Sequence, residues 1–390
     1  MARAALIWDP ALAAYDLGDA HPLNPLRLTL SVELMEAFGI LTGDALVSPR
    51  PATEAELLLV HSAGYIEAVR QASDWNSDFR PIMGLGTDDN PTYPGMHEIA
   101  ALTAGASIRA VDEVLSGRRT RTFSIAGGMH HAHRSRAAGF SVYNDAAAAI
   151  AVAQAAHPSI RVLYIDIDAH HGDGVHEAFL GSADVLTISL HESGLYAFPG
   201  TGFPGESGHG PGVGFSANVP LPAYATDECY ALAFDEVVAP LARAFLPDLI
   251  VAQLGVDAQH DDPQTELGLT LPGYRALVRG IIELADELCD GRLAALGGGG
   301  YHVVEVVPLA WTWVMAELLG RQLSDEVPES WRAAVRARLG EEPPRSMGAN
   351  DRFDSAPELA GNVLALTTER IREVQAAVFP HHGLTHRIAP

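Results

Sequence analysis

Residues 166–173 read Asp166-Ile167-Asp168-Ala169-His170-His171-Gly172-Asp173, placing three carboxylates and two imidazoles within eight positions. They follow the apolar run Val162-Leu163-Tyr164-Ile165, so they stand where a buried strand would emerge into solvent. Alternate side chains of a strand end face the same way, which aims Asp168 and His170 together. A carboxylate oxygen and an imidazole nitrogen two positions apart suit a divalent ion such as zinc. A solvated acidic loop is the competing reading of a bare Asp-x-His. The additional His171 and Asp173, and what lies elsewhere in the chain, weigh against it.

The elements that must position this run are legible as β-rich apolar stretches at 4–8, 122–126, 162–165, 185–190, 249–254 and 293–296. Ala-rich stretches at 97–115, 145–156, 227–245, 272–288 and 306–319 read as the helices between them. Strands alternating with helices predict an open, mostly parallel α/β sheet with helices on both faces. Ligands of such a sheet gather beyond the carboxyl ends of the strands. Chemically useful residues fall at just those ends: Gly127-Gly128, Asp166, His191, Gly255-Val256-Asp257 and Gly297 to Tyr301. Two Gly- and Pro-rich loops, 84–95 and 192–214, are expected to line the site. After residue 319 the chain turns polar over 328–344 and then offers one more helix, 357–377. This predicts one catalytic domain over 1–320, with 321–390 as a helical extension packed on it.

Composition narrows the chemistry further. A chain of 390 residues that is 48% hydrophobic can bury a large core. No run of about 18 apolar residues is present to span a bilayer, and the short apolar start reads as a first strand rather than a signal peptide. Cys229 and Cys289 lack Cys-x-x-Cys partners, which argues against a disulfide framework or thiolate zinc site and for the cytoplasm. The net charge of −24 repels phosphate backbones, so neither nucleic acid nor an anionic membrane is an expected partner. All 25 basic residues are arginine. The absence of lysine excludes a Schiff-base lysine, a pyridoxal-phosphate anchor and a P-loop lysine.

Four more segments complete the pattern: Gly127-Gly128-Met129-His130-His131-Ala132-His133, Phe198-Pro199-Gly200-Thr201-Gly202, Gly255-Val256-Asp257, and Gly297-Gly298-Gly299-Gly300-Tyr301. With these in order, and Asn24-Pro25-Leu26-Arg27 near the start, the chain resembles the histone deacetylase family of zinc amidohydrolases, and within it the bacterial acetoin-utilisation branch. The resemblance runs from Asp9 to about Gly320 and implies an arginase/deacetylase-like fold. It implies removal of acetyl groups from N-ε-acetyl-lysine in proteins, or from small acetylated amines such as acetylpolyamines.

The resemblance implies Zn²⁺, with Fe²⁺ as an alternative ion, on Asp168, His170 and Asp257. Three protein ligands leave a position open, as catalytic zinc requires. Two anionic ligands largely neutralise the metal, so a separate base is needed for the attacking water. His131, steadied by Asp173, is implied as that base and then as the acid for the leaving amine, while His130, paired with Asp166, tunes the electrostatics. Tyr301 is implied as the oxyanion donor, with the preceding glycines giving it freedom to move. Phe140 and Phe198 are implied as tunnel walls, with Gly139 beside them and Asp88 as the rim carboxylate. A K⁺ site is implied at Asp166, Asp168, His170, Ser189 and Leu190, and a second around Phe179 and Val185.

Departures from the family pattern occur at Met129, Thr87, Ala197 and Gln264, which puts substrate choice rather than catalysis in doubt. Arginase-type ureohydrolases use two manganese ions and need acidic residues where Gly172 and Gln259 stand, so one metal is expected. A catalytically inactive acetyl-lysine-binding protein should have lost a ligand, the base or the tyrosine, and none is missing. His133 and the tail residues His381, His382 and His386 receive no role, the tail being expected to be solvated. Oligomeric state is left open.

Overall fold

In the computed structural model, which describes residues 3–74 and 79–385, eight strands form one sheet in which every pairing is parallel. In chain order they are β1 (Ala4–Ile7), β2 (Leu46–Val47), β3 (Arg121–Ser124), β4 (Val162–Asp166), β5 (Val185–Glu192), β6 (Ser216–Leu221), β7 (Leu249–Gln253) and β8 (Leu293–Leu296). The sheet order is β2-β1-β3-β8-β7-β4-β5-β6. Apart from β2, every strand is buried along its whole length, which is why β1, β4, β7 and β8 read as apolar runs without alternation. The helices Met96–Leu115 and Asp145–Ala156 pack on each other in one layer; Leu26–Ala37, Val307–Leu318 and Leu271–Leu288 form the other.

Register places the chemistry. Ser124 pairs with Leu296, Leu296 with Gln253, Gln253 with Asp166, and Asp166 with Ser189. Four neighbouring strands therefore end in one row, and the segments leaving them (Gly127 onward, Gly297 onward, Leu254–Asp257 and Ile167–His170) start side by side. Residues more than a hundred positions apart become neighbours through backbone pairing alone.

Several elements depart from the sequence reading. The edge strands β2 and β6 were not expected: β2 is two residues long, and β6 carries Pro220, tolerated at the sheet margin. Over 227–245 the expected continuous helix is split into Asp227–Ala233 and Ala239–Phe245 by a π-helical stretch, Phe234–Val238. Pro240 lacks the N–H that would continue the α-helical ladder. The polar stretch 328–344 contains the helix Glu329–Leu339, whose buried face is Trp331, Arg332 and Val335. The tail is docked rather than wholly solvated: His382 Nε2 donates to the Gly214 carbonyl at 2.7 Å and its ring packs on Phe215. His386 lies outside the described residues. Cys229 and Cys289 are buried free thiols. Among the described residues no helix is long and apolar enough to cross a membrane.

One close approach anchors the fold's first half. A Cβ built on Gly105, in the middle of the helix Met96–Leu115, would lie 1.7 Å from the Arg50 carbonyl oxygen. The neighbouring Ala52 N–H donates to Ala101 O at 2.8 Å, so chain and helix are fastened backbone to backbone. Gly105→Ala should destabilise the protein by about 1–3 kcal/mol, the usual cost of overpacking, despite alanine's better helix propensity. Denaturant unfolding measures this; an unchanged or raised midpoint would contradict the contact.

Candidate active site and metal centre

Asp166 ends β4 fully buried, with both oxygens in use. Its Oδ2 accepts from Tyr164 Oη and His130 Nδ1, both at 2.7 Å, and its Oδ1 accepts from Asp168 N at 3.1 Å. The last bond turns the chain so that Asp168 and His170 face the end of β7. Asp168 Oδ2 is held by Gln253 Nε2 at 2.7 Å and Gly299 N at 2.8 Å; Asp257 Oδ1 is held by Ala169 N at 2.9 Å. The other oxygens, Asp168 Oδ1, which accepts from His170 N at 3.0 Å, and Asp257 Oδ2, lie 3.2 and 3.0 Å from His170 Nδ1. Three donor atoms, all within 4.8 Å of one another, thus converge from three buried side chains. Two hard oxygens and one imidazole nitrogen fit zinc or ferrous iron. Among the described residues this is the one His/Cys/Asp/Glu group so arranged.

Glycine makes the convergence possible. A Cβ on Gly255 would sit 2.1 Å from Asp168 Oδ2, and one on Gly299 would sit 2.0 Å from Asp257 Oδ2. In the Gly297–Gly300 run, Gly299 leaves room for Asp257, while Gly298 gives way to Gln253 and Gly300 to Val256 and Val307. The loop also fixes Tyr301 more firmly than a freely swinging residue: its N–H donates to Asp262 Oδ2 at 2.8 Å and its ring stands edge-on to Phe140.

The histidine pair comes from the loop after β3. Asp145, a buried carboxylate at the start of the helix Asp145–Ala156, accepts from Gly128 N at 2.9 Å and Met129 N at 2.6 Å. Asn144 Nδ2 donates to the carbonyls of His130 and Ala132. His131 Nδ1 meets Asp173 Oδ1 at 2.8 Å, and the two Nε2 atoms of the pair are 2.9 Å apart. One hydrogen must lie between them. Burial works against charge on His130, but Asp166 and then Asp168 outweigh it and bring its pKa to about 9. Burial, reinforced by the neighbouring His130 charge, pushes His131 down to about 4 despite Asp173. His130 is thus the imidazolium and donates across the pair, leaving His131 neutral, with Nδ1–H on Asp173 and a basic Nε2. Burial, then the Asp257 and Asp168 charges, holds the Tyr301 phenol well above its usual range, so it stays a donor.

A tunnel of about 150 Å³ leads to His131, His170 and Tyr301 between Phe140 and Phe198, with Gly139, Asp89 and Gln264 also in its wall. Phe140 has φ = 66°, unusual for a residue with a side chain. Tyr15 holds it there, donating to Phe140 O at 2.8 Å while accepting from Val142 N at 3.0 Å. Asp89 lines the tunnel wall, whereas Asp88, the expected rim carboxylate, lines the groove outside it. Thr87 Oγ1 closes this loop, donating to Gly84 O and accepting from Asn90 N. Met129 and Gly298 border a further pocket of about 20 Å³ behind the pair. Ser189 lies beside Asp166 by register, with Leu190 following it, so the residues of the expected nearer K⁺ site are adjacent. Phe179 and Val185 flank the turn closed by Ser182 N to Phe179 O.

Several positioning residues received no role from the sequence, although Arg27 and His133 stand within its motif segments. Arg27 is buried with its guanidinium over Trp311, donating to Gly298 O at 2.8 Å and Gly300 O at 3.0 Å across some 270 positions of chain. Gln253, Asp262 and His133 likewise act through partners remote in sequence. Asn144-Asp145 ahead of an Ala-rich helix was the one detectable cue, as a helix cap.

A parallel sheet with this residue set at its carboxyl end is the arginase/deacetylase-like fold, and it defines a hydrolase of the deacetylase class. The histone deacetylase domain matches residues 21–318, and the chain belongs to the histone deacetylase family. It is 41% identical over 333 residues to the acetoin utilization protein AcuC of Bacillus subtilis, covering 85% of this chain and 86% of that one. It is 36% identical to AcuC of Staphylococcus xylosus, covering 82% and 84%. The crystal structure of an HDAC homolog from Aquifex aeolicus superposes with a TM-score of 0.82 at 30% identity, covering 94% of this chain and 99% of that one. A crystal structure of an HDAC homolog complexed with SAHA matches with the same TM-score.

Gln253→Leu removes a neutral donor from Asp168 without touching a ligand atom. It should weaken zinc binding by about 10–100-fold, the usual effect of an outer partner, and Asp168→Ala or Asp257→Ala by more. Competition with a chelating dye measures each. Unchanged zinc affinity in both alanine variants would refute the ligand set.

Proposed function

We propose that the chain is a zinc-dependent lysine deacetylase that hydrolyses N-ε-acetyl-lysine in proteins, releasing acetate. The observation that carries this reading is the narrow tunnel between two aromatic faces, ending on a base, a metal-binding group and a phenol. An unbranched butyl chain suits such a gap, and it delivers an amide carbonyl to the buried end.

What a divalent ion adds, held by Asp168, His170 and Asp257, is Lewis-acid polarisation of the acyl oxygen and acidification of water. His131 takes a proton from the attacking water at Nε2 once the His130 N–H turns off that nitrogen's single lone pair, and Asp173 stabilises the resulting charge through Nδ1. Tyr301 donates its phenol to the acyl oxygen as negative charge collects there. His131 then returns the proton to the departing amine nitrogen. His130 keeps its own proton throughout, supported by Asp166, and its charge favours the anionic intermediate. Alongside zinc we assign a K⁺ at Asp166, Asp168, His170, Ser189 and Leu190, and a second near Phe179 and Val185.

The open rim supports a protein substrate, and we assign Asp89, in the tunnel wall, to accept hydrogen bonds from its backbone amides. A second reading is favoured by the groove outside the tunnel, which carries Asp19, Asp88 and Asp89 and no basic side chain other than His21. Such a rim also attracts small cationic acetylated amines. We place the enzyme in the cytoplasm, with residues 321–390 as an extension of its single catalytic domain.

Side-by-side turnover of acetyl-lysine peptides and acetylpolyamines separates the two readings. Peptides should give the higher kcat/KM; no turnover of either by the zinc-loaded protein would refute deacetylation. Tyr301→Phe should cost on the order of 10²–10³ in kcat and His131→Ala on the order of 10²–10⁴, with zinc retained in both. Wild-type turnover by Tyr301→Phe would remove the oxyanion role.

The protonation states fix a pH profile. His131 works unprotonated, so activity is present above its depressed pKa of about 4 and lost as pH falls through it. His130 works protonated, so activity is present below about 9 and lost above it. A kcat/KM profile with both limbs at the ordinary imidazole value, about 6.5, would contradict a proton shared this way.

A further inference from the structure

We propose that His133 tunes the reaction without touching substrate: by sharing Asp173 with His131, it sets how strongly that carboxylate supports the base. The proposal rests on His131 being the base.

Asp173 divides its oxygens between two imidazoles. Oδ1 faces His131 Nδ1 at 2.8 Å, and Oδ2 faces His133 Nε2 at 3.2 Å. His133 Nδ1 is paired with Glu177, one helical turn beyond Asp173. Arg136 Nη2 lies 2.9 Å from the same His133 Nε2. That nitrogen has one role at a time. When His133 is protonated it donates to both Asp173 and Glu177. When it is neutral, Nδ1–H stays on Glu177 and Nε2 turns acceptor for Arg136, leaving Asp173 wholly to His131.

The surroundings suit an exchange between these states. The backbone is pinned, with His133 N–H donating to Arg136 O at 2.9 Å and His61 Nδ1 meeting His133 O at 3.0 Å. His133, Arg136, Asp173 and Glu177 all border a cavity of about 670 Å³, which shares Asp89, Gly139 and Phe198 with the tunnel as a common wall. Protons can therefore reach His133 while substrate fills the tunnel. His171, His176 and Glu206 border the same cavity, while the ring of His133 is bonded to Asp173, Glu177 and Arg136. The hydrogen bond to Asp173, followed by its charge and the pairing with Glu177, lifts His133 above its usual range against partial burial.

The sign follows. Protonated His133 withdraws part of Asp173 and adds positive charge behind it, making His131 a weaker base. As pH rises through the pKa of His133, the full carboxylate charge falls on His131. Proton abstraction then quickens while His131 itself remains neutral.

In the zinc-loaded enzyme, kcat should rise by roughly 3- to 10-fold across a step above the ordinary imidazole range, as expected for a base strengthened by about a unit. His133→Gln should abolish the step, and His133→Lys, permanently cationic, should hold the lower value. Histidine ¹⁵N NMR provides a readout independent of turnover: the ring resonances of His131 should move as His133 titrates, and Asp173→Asn should lower the pKa of His133. A His133→Gln profile superimposable on the wild type, or His131 resonances unmoved through the titration of His133, would overturn the proposal. Retained turnover in His131→Ala would instead overturn the base assignment, and the NMR coupling would still be read.

Discussion

Four carboxylates, Asp166, Asp168, Asp173 and Asp257, are buried within one small volume at the sheet's carboxyl end. Buried like charges repel one another and lose hydration, so such a cluster survives only when its oxygens are engaged and cations are supplied. The rest of the site can be derived from how that demand is met. Backbone N–H groups of Asp168, Ala169 and Gly299 serve three of the acids, and side chains of Tyr164 and Gln253 serve two of them. His130 supplies positive charge to Asp166. The two remaining oxygens, Asp168 Oδ1 and Asp257 Oδ2, face His170 Nδ1, and a divalent ion held there would balance the charge.

The same demand explains why two adjacent histidines behave oppositely. Both are buried and each has an aspartate on Nδ1, so local composition does not distinguish them. Asp166 serves Tyr164 and the backbone as well as His130, yet it lies deeper among the acids, with Asp168 close by. Asp173 sits nearer the cavity and divides itself between His131 and His133. The surplus of negative charge on the Asp166 side keeps the proton on His130. Its charge, 2.9 Å away, then keeps one off His131. The base and the electrostatic partner are assigned by depth.

Sequence reading captured the parts of this arrangement that short-range pattern can encode. Strands buried on both faces read as apolar runs, and their ends carried the reactive residues in clusters of two to five. Edge strands escaped because β2 is two residues long and half exposed, and β6 contains a proline. The roles of Gln253, Asp262 and Arg27, the last noted only as part of a motif, escaped because their partners are remote in sequence and brought near by the fold rather than by spacing. At the rim, Asp88 and Asp89 are adjacent in sequence yet only Asp89 reaches the tunnel wall, beside a turn closed by Thr87 that spacing alone does not reveal.

Metal number is decided by space as well as by ligand type. An acidic residue at 172 would help hold a second ion, as in the ureohydrolases that share this fold. A Cβ there would already lie 2.5 Å from Asp166 Oδ2 and 3.2 Å from His130 Nδ1, so the Asp166–His130 pair occupies that room. The other position, Gln259, is turned away: its Nε2 donates to Asp351 Oδ2 at 3.2 Å, and Asp351 also holds His260 and the start of the helix Leu271–Leu288. Asp351 belongs to the segment beyond the matched domain, so the C-terminal chain helps fix the loop that presents Asp257. Where a second ion would require two more carboxylates, this chain has a histidine with its aspartate and a buried amide tied to its own tail. The second cation at the centre is the proton on His130, and a proton, unlike a fixed metal, leaves its neighbour free to act as a base.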